Sequence, residues 1–505
     1  MPTKDVEIAR RHAPLDMSAS TFRTAGHVLI DRIADWLQQL PDGPVMHDES
    51  PAAVRDVLGA GRGLPEHGSD PNALLDEAAQ LLFQHSLFNG HPRFLGYITS
   101  SPAPIGALGE LLAAAVNQNV GARRQAPMAT EIEAQTVRWI AELIGFPADG
   151  DGLLVSGGTM ANFVCFLAAR AAKAPDARAV GLRETGSPLR VYASTETHTW
   201  IHKAADMFGL GTDAIRWIDV DTEQRMDVAA LERQIVADRA SGALPFLVVG
   251  TAGTVGTGVV DPLSEIAAVC RRHDIWFHVD GAYGALAARV PGTPGSLRAL
   301  SEADSVAVDP HKWLYAPVEA GCALVRRRGD LRRTFSYHPS YYHFDDQVTN
   351  YYDYGPQNSR GFRALKVWLA LRQVGWSGYQ QMIGEDIRLS QRLQMRVTEH
   401  PDFEALTQHL SITTFRYVPA DLQHTTGTDD RESYLARLNQ ELLSRVERSG
   451  EAFLSNAMVN GRFALRACIV NFRTSESDID ALVPLLARIG NDVHQTLALH
   501  PTSRD

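Results

Sequence analysis

Lys312 stands in the stretch Val308-Asp309-Pro310-His311-Lys312-Trp313-Leu314-Tyr315, just after the apolar run Ser305-Val306-Ala307-Val308. That run reads as a short buried strand, which places the lysine at a strand end, away from bulk water. Desolvation disfavours the charged ammonium, and a neutral amine is the form that attacks a carbonyl to make a Schiff base. His311 beside it can bind an anion or move a proton. The pair alone also fits the commoner fate of a lysine, a solvated point on a surface. Ser156-Gly157-Gly158-Thr159 lies between a strand-like run and a helical one. Glycines let the backbone approach an anion, and a helix N-terminus supplies free N–H groups, a combination suited to one phosphate. A plain strand-to-helix turn uses the same letters, and no GxGxxG dinucleotide fingerprint stands here. Asp280 ends the run Ile275-Trp276-Phe277-His278-Val279. A buried acid is costly unless paired, so a helix cap or salt bridge is its ordinary role. Ala282, two residues on, is small enough for a flat ring to lie close. His198 and Thr251 each follow a further strand-like run.

These residues need a scaffold that gathers strand ends. Strand-like runs fall at 152–156, 190–194, 245–250, 275–279, 305–308 and 322–325, with helical stretches at 160–172, 228–239 and 262–273 between several of them. Such alternation implies a mostly parallel sheet with helices on both faces, and ligands of such sheets sit at the carboxyl ends of the strands. His198, Thr251, Asp280 and the His311–Lys312 pair then converge on one crevice. A phosphate cradle, a buried acid, a flat-ring platform and an imine-forming lysine are together what pyridoxal phosphate requires.

The 505 residues are 45% apolar, ample for a core and for two or three domains. A net charge of −11 without a basic, aromatic-interleaved run argues against a nucleic-acid partner. Residues 1–15 mix charges and lack the apolar core of a signal peptide, and no apolar run is long enough for a membrane span. Cys165, Cys270, Cys322 and Cys468 are spaced for neither a metal site nor a disulfide framework. A cytoplasmic enzyme without a metal is expected. A helical period runs over 20–40, the 51–66 segment reads as a Gly- and Pro-rich wrap, and helices are expected over 72–88, 105–116 and 130–144. This first stretch, 1–104, has little means of making its own core. A large α/β domain is expected over 105–381 and a small α+β domain over 382–505, with a helix at 362–372 and strands at 410–417 and 462–471. The Tyr-, His- and Asp-rich segment 336–357 is too long and polar for a routine connector and reads as a lid.

The segments SGGTMAN, HVDGAYG and DPHKWLYAP occur here in one order, with Met17-Ser18-Ala19-Ser20-Thr21-Phe22-Arg23, Gly90-His91-Pro92-Arg93-Phe94 and Leu465-Arg466 around them. In these the chain resembles the group II pyridoxal-phosphate-dependent amino-acid decarboxylases over nearly its whole length. The resemblance implies the type I, aspartate aminotransferase-like fold with a seven-stranded, mostly parallel sheet. It implies that Lys312 holds the cofactor covalently, that Gly158, Thr159 and His311 bind its phosphate, and that Asp280 pairs with the pyridine nitrogen. His198 and Ala282 would lie against the two ring faces, with Thr251 and Asp309 also at the cofactor. Tyr341 matches the loop tyrosine that protonates the substrate α-carbon once carbon dioxide has left. The 1–104 stretch resembles the family's swapped segment, which implies a homodimer.

The same resemblance leaves the substrate, a small L-amino acid, open. The N-terminal segment and the His-Lys-Trp run favour an aromatic one, with Tyr97, Ser100 and Arg466 as substrate contacts. Asn89, Ile98 and Gly121 stand where the aromatic branch has pocket aromatics. Asn117-Gln118-Asn119, with Arg123, Arg124 and Arg466 as carboxylate holders, resembles the glutamate branch. An aldehyde synthase, a transaminase or a non-catalytic cofactor-binding protein are the further alternatives.

Overall fold

The computed structural model describes residues 13–337, 348–423 and 429–499. The chain divides into two compact units, residues 1–88 with 447–451, and 89–446 with 452–505.

In the first unit the helix Ala19–Gln39 starts where Ser18 Oγ accepts the Thr21 N–H, a cap that satisfies one orphan donor. It packs on the helix Pro71–Gln84, with Trp36 stacked on Phe83 at 4.9 Å. The segment expected to wrap irregularly instead contains the helix Pro51–Leu58. Its proline sits at the first helical position, where the missing N–H costs nothing, and Gly59 closes it at φ 64. Here proline and glycine punctuate a helix rather than prevent one. Phe22, Val28, Leu64, Leu74 and Leu82 of this unit are exposed.

The second unit is built on a seven-stranded sheet: β1 (Asp151–Val155), β2 (Leu189–Ser194), β3 (Ile215–Ile218), β4 (Leu244–Thr251), β5 (Trp276–Asp280), β6 (Ser305–Val308) and β7 (Gly321–Val325). The order is β1-β7-β6-β5-β4-β2-β3. β7 runs antiparallel to both its neighbours, and the other pairs are parallel. Strands buried on both faces show continuous apolar runs. Accordingly Leu154, Val248 and Phe277 enter one core, while Leu153, Val155, Leu247 and Val249 enter the other. β3, one of the two edge strands, escapes a reading by apolar run because it is only half-buried: Ile215 and Ile218 are buried, while Trp217 faces outward.

A buried ion pair ties the sheet to the chain before and after it. Glu133 Oε1 accepts the Leu154 N–H at 2.9 Å. Arg360 forms an ion pair with Glu133 and donates to the carbonyls of Leu154 at 2.7 Å and Val120 at 2.8 Å.

The helix expected over 362–372 runs far longer, as Ala364–Glu399, and the expected boundary near 382 falls inside it. Gly375 takes a non-helical conformation (φ 68, ψ 174) and the helix resumes beyond it, so the glycine marks a kink and not an end. The smaller sheet comprises β8 (Phe403–His409), β9 (Ile412–Tyr417), β10 (Ser455–Val459) and β11 (Arg462–Cys468), all antiparallel in the order β10-β11-β9-β8. Among the described residues, no helix is long and apolar enough to cross a membrane, and no group of His, Cys, Asp or Glu could hold a metal.

Candidate active site

Parallel strands place their carboxyl ends on one edge of the sheet. There a cavity of about 250 Å³ is lined by Gly158 and Thr159 after β1, His198 after β2, Thr251 at the end of β4, Asp280 and Ala282 at the end of β5, and Asp309, His311 and Lys312 after β6. Asn162, Ile98, Gly253, Val255 and Tyr283 complete the lining.

The helix Gly158–Lys173 opens at this cavity without a side-chain cap, which leaves its first N–H groups free for an anion. The turn before it is close-packed: a Cβ at Gly321 would fall 2.5 Å from the Gly157 carbonyl carbon, so only glycine lets β7 pass. His311 Nδ1 lies 2.7 Å from the Ala320 carbonyl, and its Nε2 is 3.7 Å from Asp309. Burial lowers the His311 imidazole pKa, against the pull of Asp309.

Lys312 has a neighbour that the strand-end position alone does not show: its Nζ lies 3.0 Å from Oδ2 of the buried Asp309. Asp309 Oδ1 and Thr251 Oγ1 are buried and find no hydrogen-bond partner among the described residues. Asp280 makes neither a cap nor a salt bridge; Trp200 Nε1 donates to its Oδ2 at 2.7 Å and the Ala282 N–H to its Oδ1 at 3.2 Å. Desolvation lowers the His198 pKa, with Lys312 adding to it and Asp280 opposing.

The substrate contacts expected from sequence are not in this lining. Ser100 Oγ donates to the His311 carbonyl at 2.8 Å. Tyr97 is 56% exposed with φ 50. Arg466 is 2% exposed; its Nη1 donates to the Tyr97 carbonyl and to Ser455 Oγ, both at 3.0 Å, while Nε and Nη2 lack partners. Tyr341 lies outside the described residues.

Asn162, Trp200 and Asp386 were not singled out in the sequence. Asn162 sits one helical turn after Gly158 and so shares its face. Asp386, 2% exposed, accepts from Trp313 Nε1 at 2.8 Å and Tyr315 OH at 2.7 Å, pinning the turn that follows Lys312. Burial pushes its carboxyl up to about 7, against the hydrogen bonds from Tyr315 and Trp313. A carboxyl raised in the folded state contributes stability that is full below its ordinary range, near pH 4, and is lost as pH rises through about 7. Asp386→Asn is therefore expected to flatten the fall in melting temperature between about pH 5 and about pH 8. Identical slopes would remove Asp386 as the titrating group.

An uncapped helix terminus, a buried acid held as an acceptor, unpartnered polar atoms and a lysine fit one ligand carrying a phosphate, a flat ring with a basic nitrogen, and a carbonyl. A family model described as the pyridoxal-dependent decarboxylase conserved domain matches residues 59–418. An aromatic-L-amino-acid decarboxylase of Bacillus atrophaeus is 32% identical over 486 residues, 95% of this chain and 97% of that relative. A cysteine sulfinic acid decarboxylase of Mus musculus is 30% identical over 424 residues, 83% and 86% of the two chains. The crystal structure of an Oryza sativa TDC with PLP and tryptamine matches with a TM-score of 0.88 at 26% identity, over 95% of this chain and 99% of that one.

Proposed function

The chain belongs to the pyridoxal-dependent decarboxylase family, a pyridoxal-phosphate-dependent carboxy-lyase of amino acids, and we propose that its substrate is an aromatic L-amino acid converted to carbon dioxide and the amine. The observation that carries the aromatic reading is the apolar part of the cavity lining, Ile98, Val255 and the Tyr283 ring, which suits a ring. Gly121, which stands where the aromatic branch has a pocket aromatic, has no room for any side chain, since a Cβ would fall 2.3 Å from the Asn358 carbonyl oxygen, and this counts against an aromatic wall there. Arg123 is exposed and paired with Glu131 at 3.2 Å, which weakens its claim on a substrate carboxylate. The similarity to an aromatic-L-amino-acid decarboxylase supports the same reading.

Bound pyridoxal phosphate supplies the electron sink for the charge left on the α-carbon when carbon dioxide departs. The chain's share is placement. The N–H groups of Gly158 and Thr159, with His311, hold the phosphate. Asp280 keeps a proton at the ring nitrogen, and His198 and Ala282 confine the ring. Lys312 Nζ would anchor the cofactor, with the Asp309 carboxylate 3.0 Å away to balance the charge of its ammonium form. By the family resemblance Tyr341, outside the described residues, would deliver the proton to the α-carbon.

The second reading is an acidic amino acid. Arg466 favours it, because a carboxylate would satisfy its two unpartnered, buried N–H groups, and so does the similarity to a cysteine sulfinic acid decarboxylase.

A homodimer forms the working enzyme in this proposal. The helix Pro104–Val116 buries only Gly106 and Gly109 and exposes Leu108, Leu111, Leu112 and Val116 on one side, a row that a second copy, with its 1–104 stretch, would cover.

Carbon dioxide release across all L-amino acids with added cofactor tests the whole reading, on protein whose sedimentation mass should be twice that of the chain. Turnover of aromatic substrates with matching amine is expected. A preference for acidic ones, or hydrogen peroxide, ammonia and aldehyde in place of amine, would replace the reading. A single-chain mass would remove the homodimer.

A further inference from the structure

Trp200 does two things at once beside the cavity. It opens the helix Trp200–Met207 and is 1% exposed. It packs edge-on against Phe166 (6.5 Å) and His278 (5.9 Å). Its backbone N–H donates to His198 Nδ1 at 3.2 Å, and its indole N–H donates to Asp280 Oδ2 at 2.7 Å. We infer that Trp200 is a positioning residue that fixes Asp280 and His198 together and, through its indole N–H, keeps the proton on the cofactor's ring nitrogen. This rests on the reading of Asp280 as the partner of that nitrogen.

The chemistry follows from donor and acceptor inventories. An indole N–H can only donate, so Asp280 Oδ2 must accept. The Ala282 N–H occupies Oδ1, which makes both oxygens acceptors. Hydrogen bonds donated to a carboxylate favour its charged form and make it a weaker base. A proton shared between Asp280 and a ring nitrogen then stays on the nitrogen, where it strengthens the ring's pull on electrons.

Lys312, Asp309 and His311 share the cavity lining with Asp280, and three more titratable groups lie within its electrostatic reach. His198 approaches from the segment before Trp200, His278 from the same strand, and Cys165 from the helix Gly158–Lys173. Burial pushes His278 down to about 4 and Cys165 up to about 12, so both are neutral near pH 7. His278 is also committed, with Nδ1 2.9 Å from Ser305 Oγ and Nε2 2.7 Å from Asn162 Oδ1. The indole N–H is thus a fixed, pH-independent hold on Asp280.

Trp200→Phe removes that donor and keeps an aromatic ring, while the backbone N–H to His198 stays. The expected result for the cofactor-loaded enzyme is a fall in kcat of about tenfold with KM changed by less than about twofold. The alkaline limb of the kcat profile should move up by about one pH unit, because a more basic Asp280 makes the proton shared with the ring nitrogen harder to lose. In enzyme loaded with ring-15N cofactor, the nitrogen resonance should move from the protonated toward the unprotonated range, a readout independent of turnover. With a cofactor analogue carrying carbon in place of the ring nitrogen, wild type and variant should be equally slow. If Trp200→Phe fails to fold, benzothienylalanine at position 200, which puts sulfur where the N–H is, keeps the shape and gives the same comparison. An unchanged 15N resonance and pH profile would overturn the inference and leave Trp200 as a core residue. Asp280→Ala separates the two levels. If it too leaves the resonance unmoved, the reading of Asp280 fails; if it moves the resonance and Trp200→Phe does not, only the role of Trp200 fails.

Discussion

Lys312→Ala is expected to abolish covalent retention of the cofactor and to slow carbon dioxide release by at least about a thousandfold, the order lost when a positioned nucleophile is removed. The expectation rests on how firmly the chain places this one amine. β6 delivers Asp309 and Pro310, the short helix Pro310–Trp313 carries Lys312, and Trp313 and Tyr315 are tethered to Asp386 on the long helix. None of those contacts involves the lysine side chain, so the variant keeps the turn and the phosphate cradle. What it loses is Nζ, and with it the partner that sits 3.0 Å from Asp309. Borohydride reduction followed by mass spectrometry should add one cofactor to the wild-type chain and none to the variant. Lys312→Arg separates charge from chemistry: it offers Asp309 a cation, which should protect stability, yet it cannot form the covalent link and should be as slow as alanine. Turnover of Lys312→Ala within about tenfold of wild type would sink the mechanism.

The part of the fold that was legible in sequence is the part buried on both faces. β1, β4, β5, β6 and β7 are buried along nearly their whole length, and the ends of β4 and β5 and the turns after β1 and β6 carry the polar residues that line the cavity. β3 and β10 were not legible because they are half-exposed: in β10 Ala457 and Val459 are buried while Met458 turns outward. The helix expected over 362–372 continues past a kink at Gly375, and the sequence does not show that it resumes there. At the site, the residues at strand ends were visible as types. What decides their chemistry was not: the Trp200 indole on Asp280 and Asp386 under Trp313 come from distant chain, and the Asp309 carboxylate turned onto Lys312 depends on the fold of one turn. Only the last of these could have been suspected locally, from two residues three apart on a helical turn.

Arg360→Leu is expected to cost about 3–5 kcal/mol of stability, the usual penalty for stranding one member of a buried ion pair. Arg360 and Glu133 have side chains only 2% and 0% exposed, so water cannot replace the lost partner. The pair also serves the backbone. Glu133 holds the Leu154 N–H, and Arg360 holds the Leu154 and Val120 carbonyls. The Arg360 guanidinium lies 4.7 Å from the centre of the Tyr351 ring, and its backbone N–H reaches Asn119 Oδ1 at 3.0 Å. Through these contacts one residue joins the chain before the helix Pro127–Ile144, the strand β1 and the chain entering the long helix. β1 leads directly into Gly157 and Gly158, so a loosened β1 should also release cofactor more readily. Thermal unfolding and equilibrium dialysis of the cofactor measure the two effects together. A double change, Glu133→Leu with Arg360→Leu, removes the stranded charge and should recover part of the loss, because apolar replacement of a buried pair is often tolerated. It should not recover all of it, because the Leu154 and Val120 backbone groups remain without those partners. A single variant within about 1 kcal/mol of wild type would show that the pair does not hold β1. A double variant no better than the single would place the cost in the backbone contacts and not in the buried charge.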